Sequence, residues 1–370
     1  MSDFPIRIQP HTPPAPSLPQ ELGFGRTFTS RMFTQHYSVD RGWHDAAIVP
    51  YGPLALDPAA QLFHCGQIIF EGMKGLRRPD GQVNLFRAAD HLERFNRSAK
   101  RMAMPSIDVE AHLHAVQMLM DLERDWIPDR PGASLYCRPV MMANDRSLEV
   151  RASHSYLHFI ILSPISAYFG DDAKPVSVFV SDEHFRAVRG GTGEAKTVAN
   201  YAVSLYASEL ARSHGYDQVL WLDAVERRYV EEAGAMSVAF VYGGEEIRTP
   251  ALSGSILASV TRESLLQLAP DLGYEVTEDR IAVDEVLRDI ERGDITEAFC
   301  LGTAAVVASI GRVGFYGRDY ILNDMQPGPV AKHLYRALTD IQFGRSADPY
   351  GWTTLLPSFA EALTPTAIVR

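Results

Sequence analysis

The segment 190–197 reads GGTGEAKT and joins a run of glycines to a single lysine. A phosphate-binding loop reads GxxxxGKT, and the glycine before its lysine lets the backbone wrap around a phosphate. Ala195 takes the place of that glycine here, which weakens the nucleotide-binding interpretation. Two other interpretations remain open: a glycine-rich turn that carries a solvated lysine, and a loop that presents Lys196 as a nucleophile.

Lysine is scarce in this chain, so chemistry that requires a lysine has few candidates. Of the 35 basic residues only five are lysines, namely Lys74, Lys100, Lys174, Lys196 and Lys332. Two of them fall in amphipathic helical patterns and one in a polar linker. We expect Lys74 to be a surface residue, because lysine is rarely buried. Lys196 is the candidate that chemistry would use.

A lysine can form a Schiff base with pyridoxal phosphate, and that chemistry makes further demands. A donor must face the phenolic oxygen, a carboxylate must pair with the pyridinium nitrogen, and an arginine and helix-start N–H groups must hold the phosphate. The sequence can supply all of these groups. They are Tyr201 shortly after the lysine, Glu232 where a strand ends, Arg87 before a helix, and the segment 256–262 leading into another helix.

Composition excludes several other classes of function. The formal net charge of −11 disfavours nucleic acid and anionic membranes as partners, because an acidic surface repels phosphates. No run approaches the roughly 20 apolar residues of a membrane span, and the proline-rich stretch 1–20 does not resemble a secretory signal. Three scattered cysteines without a CxxC pattern predict a reducing cytoplasm and no metal site.

Helical and strand patterns alternate irregularly, which predicts an α+β fold rather than strict βαβ repeats. Helices are predicted over 90–102, 109–126, 201–214, 261–269, 284–292 and 329–343. Strands are predicted over 134–142, 156–165, 176–181, 218–223, 229–232, 237–242, 246–249, 297–302 and 306–310. The polar, turn-rich stretch 169–175 is the best candidate for a linker. We therefore expect a first domain over 1–168 and a second over 176–370.

Short motifs along most of the chain resemble the branched-chain amino-acid aminotransferases, a family of fold-type IV pyridoxal-phosphate enzymes. They occur in family order from about Gly23 to Tyr350. The matching stretches are GWHD at 42–45, FEGMKG at 70–75, LFR at 85–87, FNRSA at 95–99, LYCRP at 135–139, SAYF at 166–169, GEAK at 193–196, NY at 200–201, EAG at 232–234, VTR at 260–262 and GTA at 302–304. The resemblance implies a small N-terminal α/β domain and a larger C-terminal pseudo-barrel domain.

The resemblance also implies a role for each cofactor residue. Lys196 would form the Schiff base and carry the proton between the substrate Cα and the cofactor. Tyr201 would donate to the phenolate oxygen, and Glu232 would pair with the pyridinium nitrogen. The groups implied for the phosphate and for packing against the ring are Arg87, Val260, Thr261, Thr303 and Leu257.

By the same resemblance, the enzyme would move the amino group of a hydrophobic, branched-chain-type L-amino acid to 2-oxoglutarate by a ping-pong mechanism. The family is dimeric, so we expect a homodimer. Backbone N–H groups of Thr303 and Ala304 would receive the substrate carboxylate. The side chains implied for the substrate pocket are Phe70, Tyr136, Arg138 and Tyr168.

Several positions differ from the residues that are common in this family. They include Cys65 for a tyrosine, Glu149 for a glycine, Ala235 and Ser237 after the EAG stretch, Val198-Ala199 for a glycine pair and Ala258-Ser259 for Pro-Gly. These departures predict a preference shifted toward larger or less branched side chains. Two rivals stay open: a fold-type IV lyase that eliminates pyruvate from an aminated chorismate, and a nucleotide-binding or non-catalytic protein that uses the 190–197 loop.

Overall fold

The computed structural model describes residues 5–12, 17–166, 174–359 and 368–369. The chain divides into two compact units. The first comprises Met1–Ala167, Ala195–Val198 and Ile341–Arg370, and the second Tyr168–Glu194 and Ala199–Asp340. The linker predicted over 169–175 falls mostly outside the described residues, so that boundary stays a prediction. The segments 195–198 and 341–370, which the sequence assigned to the second domain, group with the first unit.

The first unit is built on a largely antiparallel sheet, in which ten strands are described. Two of its long central strands, Ser134–Ala143 and Ser155–Ile165, are mostly apolar and buried along most of their length. The strands are β1 (Ile6–Ile8), β2 (Arg31–Ser38), β3 (Gly42–Pro50), β4 (Ile68–Phe70), β5 (Met73–Arg77), β6 (Val83–Phe86), β7 (Ser134–Ala143), β8 (Ser155–Ile165), β18 (Thr353–Leu355) and β19 (Ile368–Val369). Their order along the sheet is β18-β6-β5-β7-β8-β2-β3-β1-β19, with β4 beside β7.

Two 14-residue helices, α2 (Ala88–Arg101) and α3 (Val109–Leu122), provide the other side of this core. Leu92, Phe95 and Ala99 recur at helical spacing on α2 and are fully buried. Asp108 caps α3 by accepting the backbone N–H of Ala111 at 2.9 Å. The unit also contains the short helix α1 (Leu62–Cys65) and the 3-10 turn Arg124–Trp126.

The second unit is built on a mixed sheet, in which nine strands are described in the order β11-β10-β9-β16-β15-β12-β13-β14, with β17 beside β16. Mixed helices and strands in both units confirm the predicted α+β class. The strands are β9 (Val176–Ser181), β10 (Gln218–Leu222), β11 (Val230–Ala233), β12 (Ser237–Tyr242), β13 (Glu246–Pro250), β14 (Glu275–Asp279), β15 (Ile295–Gly302), β16 (Val306–Phe315) and β17 (Arg318–Ile321).

The predicted helix 201–214 is broken in two, whereas the other predicted helices are found with shifts at their ends. The Ser204 hydroxyl donates to the Tyr201 carbonyl at 2.7 Å and competes with the helical hydrogen bonds there. The remaining helical elements are α4 (Val198–Ala202), α5 (Leu205–Ser213), α6 (Val260–Asp271), α7 (Val283–Arg292), α8 (Pro329–Gln342) and the 3-10 turn Asn323–Met325.

Two buried histidines lie within the core of the first unit. His158 on β8 is fully buried, and neither ring nitrogen has a hydrogen-bond partner among the described residues. Its ring packs 5.0 Å from that of His112 and 5.6 Å from that of Phe95. Burial lowers the pKa of His112 to about 4 and holds the pKa of His158 well below its usual value.

We predict that these histidines make the fold acid-sensitive. The unfolded chain binds protons near pH 6.5 where the folded one does not, so stability is full above that pH and falls as pH is lowered toward 4. Each histidine contributes a slope of at most about 1.4 kcal/mol per pH unit. His158→Leu should raise the urea midpoint at pH 5 and flatten its pH dependence. The exposed His154→Leu serves as the control, and equal pH profiles for the two variants would contradict this prediction.

Candidate functional site

The backbone around Lys196 is fastened to the first unit by hydrogen bonds on both sides. Its N–H donates to the buried Ser98 hydroxyl on α2 at 2.9 Å, and its carbonyl accepts from the Phe70 N–H at 3.0 Å. The next residue, Thr197, is fully buried and donates through its hydroxyl to the Ile68 carbonyl at 2.7 Å. The lysine is therefore held against β4 and α2 rather than carried on a free turn.

Three of the predicted substrate residues come together beside this lysine. The Lys196 Nζ lies 5.3 Å from the centroid of the Phe70 ring. The Arg138 guanidinium lies 4.6 Å from the Phe70 ring and 5.2 Å from the Tyr136 ring, and it donates to the Tyr136 hydroxyl at 3.2 Å. Gly72 makes room for them, since a Cβ there would lie 1.8 Å from the Tyr136 hydroxyl. This arrangement presents apolar ring surface around one fixed cation.

A buried charge network adjoins the lysine segment. Glu71 is fully buried and accepts from Arg94 Nε at 2.7 Å, from Arg94 Nη2 at 2.9 Å and from the Gly72 N–H at 3.0 Å. His91 Nδ1 lies 3.1 Å from the same carboxylate. Burial by itself would raise the pKa of Glu71, but Arg94 and His91 outweigh burial and hold it well below its usual range. No motif predicted this network, although Glu71 lies within the 70–75 motif and Arg94 directly precedes the 95–99 motif.

Lys74 is buried, which corrects the expectation that it lies on the surface. It is 8% exposed and pairs in register with Tyr136 across β5 and β7. Burial lowers the pKa of Lys74 to about 8. Lys74 therefore places a second amine on the strand that pairs with the Tyr136–Arg138 segment of β7.

Arg87 lies at the start of α2 in the left-handed backbone region, with φ of 50°. Non-glycine residues adopt this conformation infrequently, and such positions often cluster at functional sites. Its N–H donates to the Trp352 carbonyl at 2.7 Å, and its guanidinium pairs with Asp90 at 2.6 Å. The side chain is 8% exposed, so the charge is held in one place.

In the second unit, Glu232 is a buried carboxylate on β11 that pairs with the Arg186 guanidinium. Arg186 Nη2 also donates to the Ser255 carbonyl at 2.6 Å. The neighbouring carboxylate, Glu231, accepts from the hydroxyls of Ser253 and Ser255, yet burial raises its pKa overall. The motifs single out Glu232 as a candidate, whereas no motif or spacing distinguishes Arg186.

The other predicted cofactor residues of the second unit lie at element ends. Val260 and Thr261 are buried in the first turn of α6, where the Ser259 hydroxyl caps the helix by accepting from the Arg262 N–H at 3.2 Å. Leu257 is half-buried just before it.

The remaining predicted residues fall in turns and at a helix. Thr303 and Ala304 occupy the turn between β15 and β16, and Val306, with φ of 62°, begins β16. Tyr201 lies half-buried on α4, and Tyr168 lies outside the described residues.

The glycines of the 190–197 loop have a packing role within the second unit. A Cβ on Gly193 would lie 2.1 Å from the Ser255 carbonyl oxygen, so only glycine permits this approach. The Thr192 hydroxyl and carbonyl both bond the Asn200 amide at 2.7 Å. The loop is thus tied to its surroundings by its own side chains and backbone.

Within the described ranges, no group of three or more histidine, cysteine or acidic side chains could hold a metal ion. Among the helices described, none is long and apolar enough to cross a membrane.

Comparison with known proteins identifies the family. The profile of the family described as "Amino-transferase class IV" matches residues 69–313. Branched-chain-amino-acid transaminase 1 of Bacillus subtilis (strain 168) is 50% identical over 336 residues, which is 90% of this chain and 94% of that protein.

Solved structures share the fold. The branched-chain amino acid aminotransferase of Escherichia coli matches with a TM-score of 0.73 at 23% identity, over 89% of this chain and all of that one. The branched-chain amino acid aminotransferase of Thermobaculum terrenum, solved in its PLP-form, matches with a TM-score of 0.73 at 24% identity, over 89% and 99% of the two chains.

These matches confirm the family resemblance and the fold-type IV architecture that the motifs predicted, and they favour transamination over the lyase reaction. The family profile covers more than half of the chain. The 50% identity to the Bacillus subtilis transaminase is well above the identity at which family membership becomes uncertain. This chain belongs to the class IV aminotransferase family and is an aminotransferase.

Proposed function

We propose that this enzyme uses pyridoxal phosphate to move the amino group of hydrophobic, branched-chain-type L-amino acids to 2-oxoglutarate. The observation that carries the proposal is the 50% identity to a branched-chain transaminase over 90% of the chain. The fixed position of Lys196 beside Phe70 and Arg138 supports it. We further propose a homodimer located in the cytoplasm.

The residues present fit the chemistry of that cofactor. Lys196 offers an amine on a fixed backbone, and Glu232 offers a buried carboxylate for a cationic ring nitrogen. Tyr201 offers a phenol for the ring oxygen. The phosphate would take the groups that suit an anion, namely the Arg87 guanidinium, the α6 N-terminus at Val260 and Thr261, and Thr303.

When bound, pyridoxal phosphate accepts electrons from the substrate Cα and stores the amino group between the two half-reactions. The residues of the chain would bind and orient the cofactor and the substrate, and they would move a proton. The Lys196 amine would carry the proton to and from the substrate Cα. Thr303 and Ala304 would orient the substrate through its α-carboxylate, and Leu257 would pack against the cofactor ring.

The cluster of Phe70, Tyr136 and Arg138 suits both substrates of such a reaction. The aromatic rings offer an apolar surface for a branched side chain. Arg138 offers a cation for the second carboxylate of glutamate or 2-oxoglutarate, and its Nε is buried without a hydrogen-bond partner in the described part of the chain. A bound carboxylate would satisfy such a donor. Tyr168 stays a proposed fourth member of the pocket.

A shifted amino-acid preference is a second candidate, because two of the departures from the family text are in contact. The Cys65 thiol is exposed and donates to the Glu149 carbonyl at 3.7 Å. Replacing a phenol by a thiol at this position removes bulk and exchanges a strong hydrogen-bond donor for a weak one. We therefore propose that leucine, methionine and phenylalanine are used at least as well as valine and isoleucine, and that clearly faster turnover of valine and isoleucine would exclude the shift.

We predict that the purified enzyme has a visible absorption band from pyridoxal phosphate, and that leucine bleaches it in the absence of an oxo acid. Lys196→Ala should abolish borohydride-stable labelling of the protein by the cofactor, because only that amine would hold it covalently. Lys74→Ala, which removes the buried lysine on β5, should keep the label. The readouts are absorbance and peptide mass. A colourless wild-type protein after incubation with the cofactor would contradict the proposed function, and a bleach-resistant yellow protein would favour the lyase.

We predict that Arg87→Ala weakens cofactor binding more than Thr261→Ala. A charged arginine–phosphate bond is worth roughly 1.5–3 kcal/mol, which corresponds to about a tenfold to hundredfold rise in Kd. A helix-terminus contact is worth only about 0.3–1 kcal/mol, or less than about tenfold. Fluorescence titration of the cofactor-free variants measures both values. Equal dissociation constants would contradict this ranking.

We predict that Arg138→Met lowers kcat/KM for 2-oxoglutarate by roughly ten- to a hundredfold, the cost of one charged hydrogen bond. The value for 4-methyl-2-oxopentanoate, which lacks a second carboxylate, should change much less. Steady-state assays in both directions measure this selectivity, and Arg101→Met at the exposed end of α2 is the control. Equal losses for the two oxo acids would exclude a carboxylate-binding role.

A further inference from the structure

We propose that Arg186 is a positioning residue that keeps the Glu232 carboxylate ionised and oriented before any cofactor binds. The proposal rests on the proposed function, in which Glu232 pairs with the cofactor's ring nitrogen. Arg186 would act only through Glu232, so it is not assigned a contact with substrate or cofactor. Neither the motifs nor the comparisons assign this arginine a role.

The pair is buried and its members come from distant parts of the sequence. The Arg186 side chain is 8% exposed and the Glu232 side chain 5% exposed, and the guanidinium contacts the carboxylate Oε2. Glu232 lies opposite the fully buried Trp221 in the β10–β11 pairing. Water is therefore largely excluded, and the arginine places a compensating positive charge against the carboxylate in this environment.

Arg186 is itself fixed by a rigid peptide group. Its Nη2 donates to the Ser255 carbonyl at 2.6 Å, and Ser255 is 3% exposed. Gly193 packs against that carbonyl so closely that a Cβ would lie 2.1 Å from it. The Ser255 hydroxyl donates to Glu231, which anchors the residue from its other side. The glycine loop, the serine and the arginine thus form one chain of contacts that ends on Glu232.

A contribution to the free energy of folding does not by itself explain the Arg186–Glu232 ion pair. Arg186 Nε is buried and has no hydrogen-bond partner in the ranges that the structure describes. A buried ion pair with an unsatisfied donor is a poor way to stabilise a fold, because apolar side chains of similar volume would avoid the desolvation cost. A carboxylate that must stay charged for a cationic ring nitrogen does need such a partner. Without it, a buried carboxylate takes up a proton and becomes neutral.

Other acidic groups near the pair make the cation more necessary. Glu231 precedes Glu232 in the chain, and both Arg186 and Asp223 act on it electrostatically. Asp223 accepts backbone N–H groups of the 223–229 turn, including that of Tyr229 at 2.8 Å. Removal of Arg186 would therefore leave these carboxylates with less positive charge beside them. The effect should be greatest on Glu232, which is buried and forms the salt bridge with Arg186.

A double-mutant cycle on pyridoxal-phosphate binding tests the proposal. Four proteins are compared by fluorescence titration after removal of the cofactor: wild type, R186M, E232Q and R186M/E232Q. We expect R186M to raise the Kd by about tenfold or more, and the double variant to bind no more weakly than E232Q. R186K should recover part of the affinity, and R189M, an exposed arginine three residues away, should bind as wild type does.

A second readout needs no cofactor. The thermal midpoint of cofactor-free R186M should be lower than that of wild type, and adding E232Q should restore part of the loss, because the uncompensated charge is then removed. Unchanged cofactor affinity in R186M, or an equal loss of affinity in both Glu232 backgrounds, would overturn the proposal while leaving the proposed function intact. A wild-type protein that binds no pyridoxal phosphate would overturn both.

Discussion

The hydrogen bonds that fasten the backbone of Lys196 to β4 and α2 are the constraint on which the rest of the site depends. An amine on a flexible side chain can serve both halves of a transfer reaction only if its attachment point does not move. Ser98 and Phe70 hold the lysine peptide from both sides, and Thr197 is anchored on β4. The same strand continues into Phe70, so the lysine and the ring beside it share one rigid support.

Each unit contains a buried carboxylate that pairs with a buried arginine side chain. In the first, Glu71 is neutralised by Arg94 and bonded by the Gly72 N–H. In the second, Glu232 is neutralised by Arg186, which is fixed by Ser255. Each carboxylate is within a few percent of full burial, so each needs a partner to remain ionised. The two networks differ in position: the first adjoins Phe70, whose N–H bonds the Lys196 carbonyl, and the second supports a group proposed to meet the cofactor.

The glycine-rich loop shows how one pattern can serve two kinds of structure. In a phosphate-binding loop, glycines let backbone N–H groups approach a phosphate. Here Gly193 lets the chain approach the Ser255 carbonyl, and the Asn200 amide bonds the preceding threonine. The packing requirement accounts for that glycine without any nucleotide. Ala195, directly before the lysine, is itself buried, so a side chain is accommodated at that position.

The sequence by itself determined the family, the mixed α+β class and most helices and strands, and it singled out Lys196 as the candidate lysine, because lysines are few and motifs are local in sequence. Only the tertiary structure decided which side chains are buried and what they meet. Lys74 is buried on a strand whose partner, Tyr136, comes from a distant segment. Arg186 and Glu232, which form an ion pair, also come from separate segments of the chain. Burial and ion pairing arise from chain segments far apart in sequence, and no local pattern records which segments will meet.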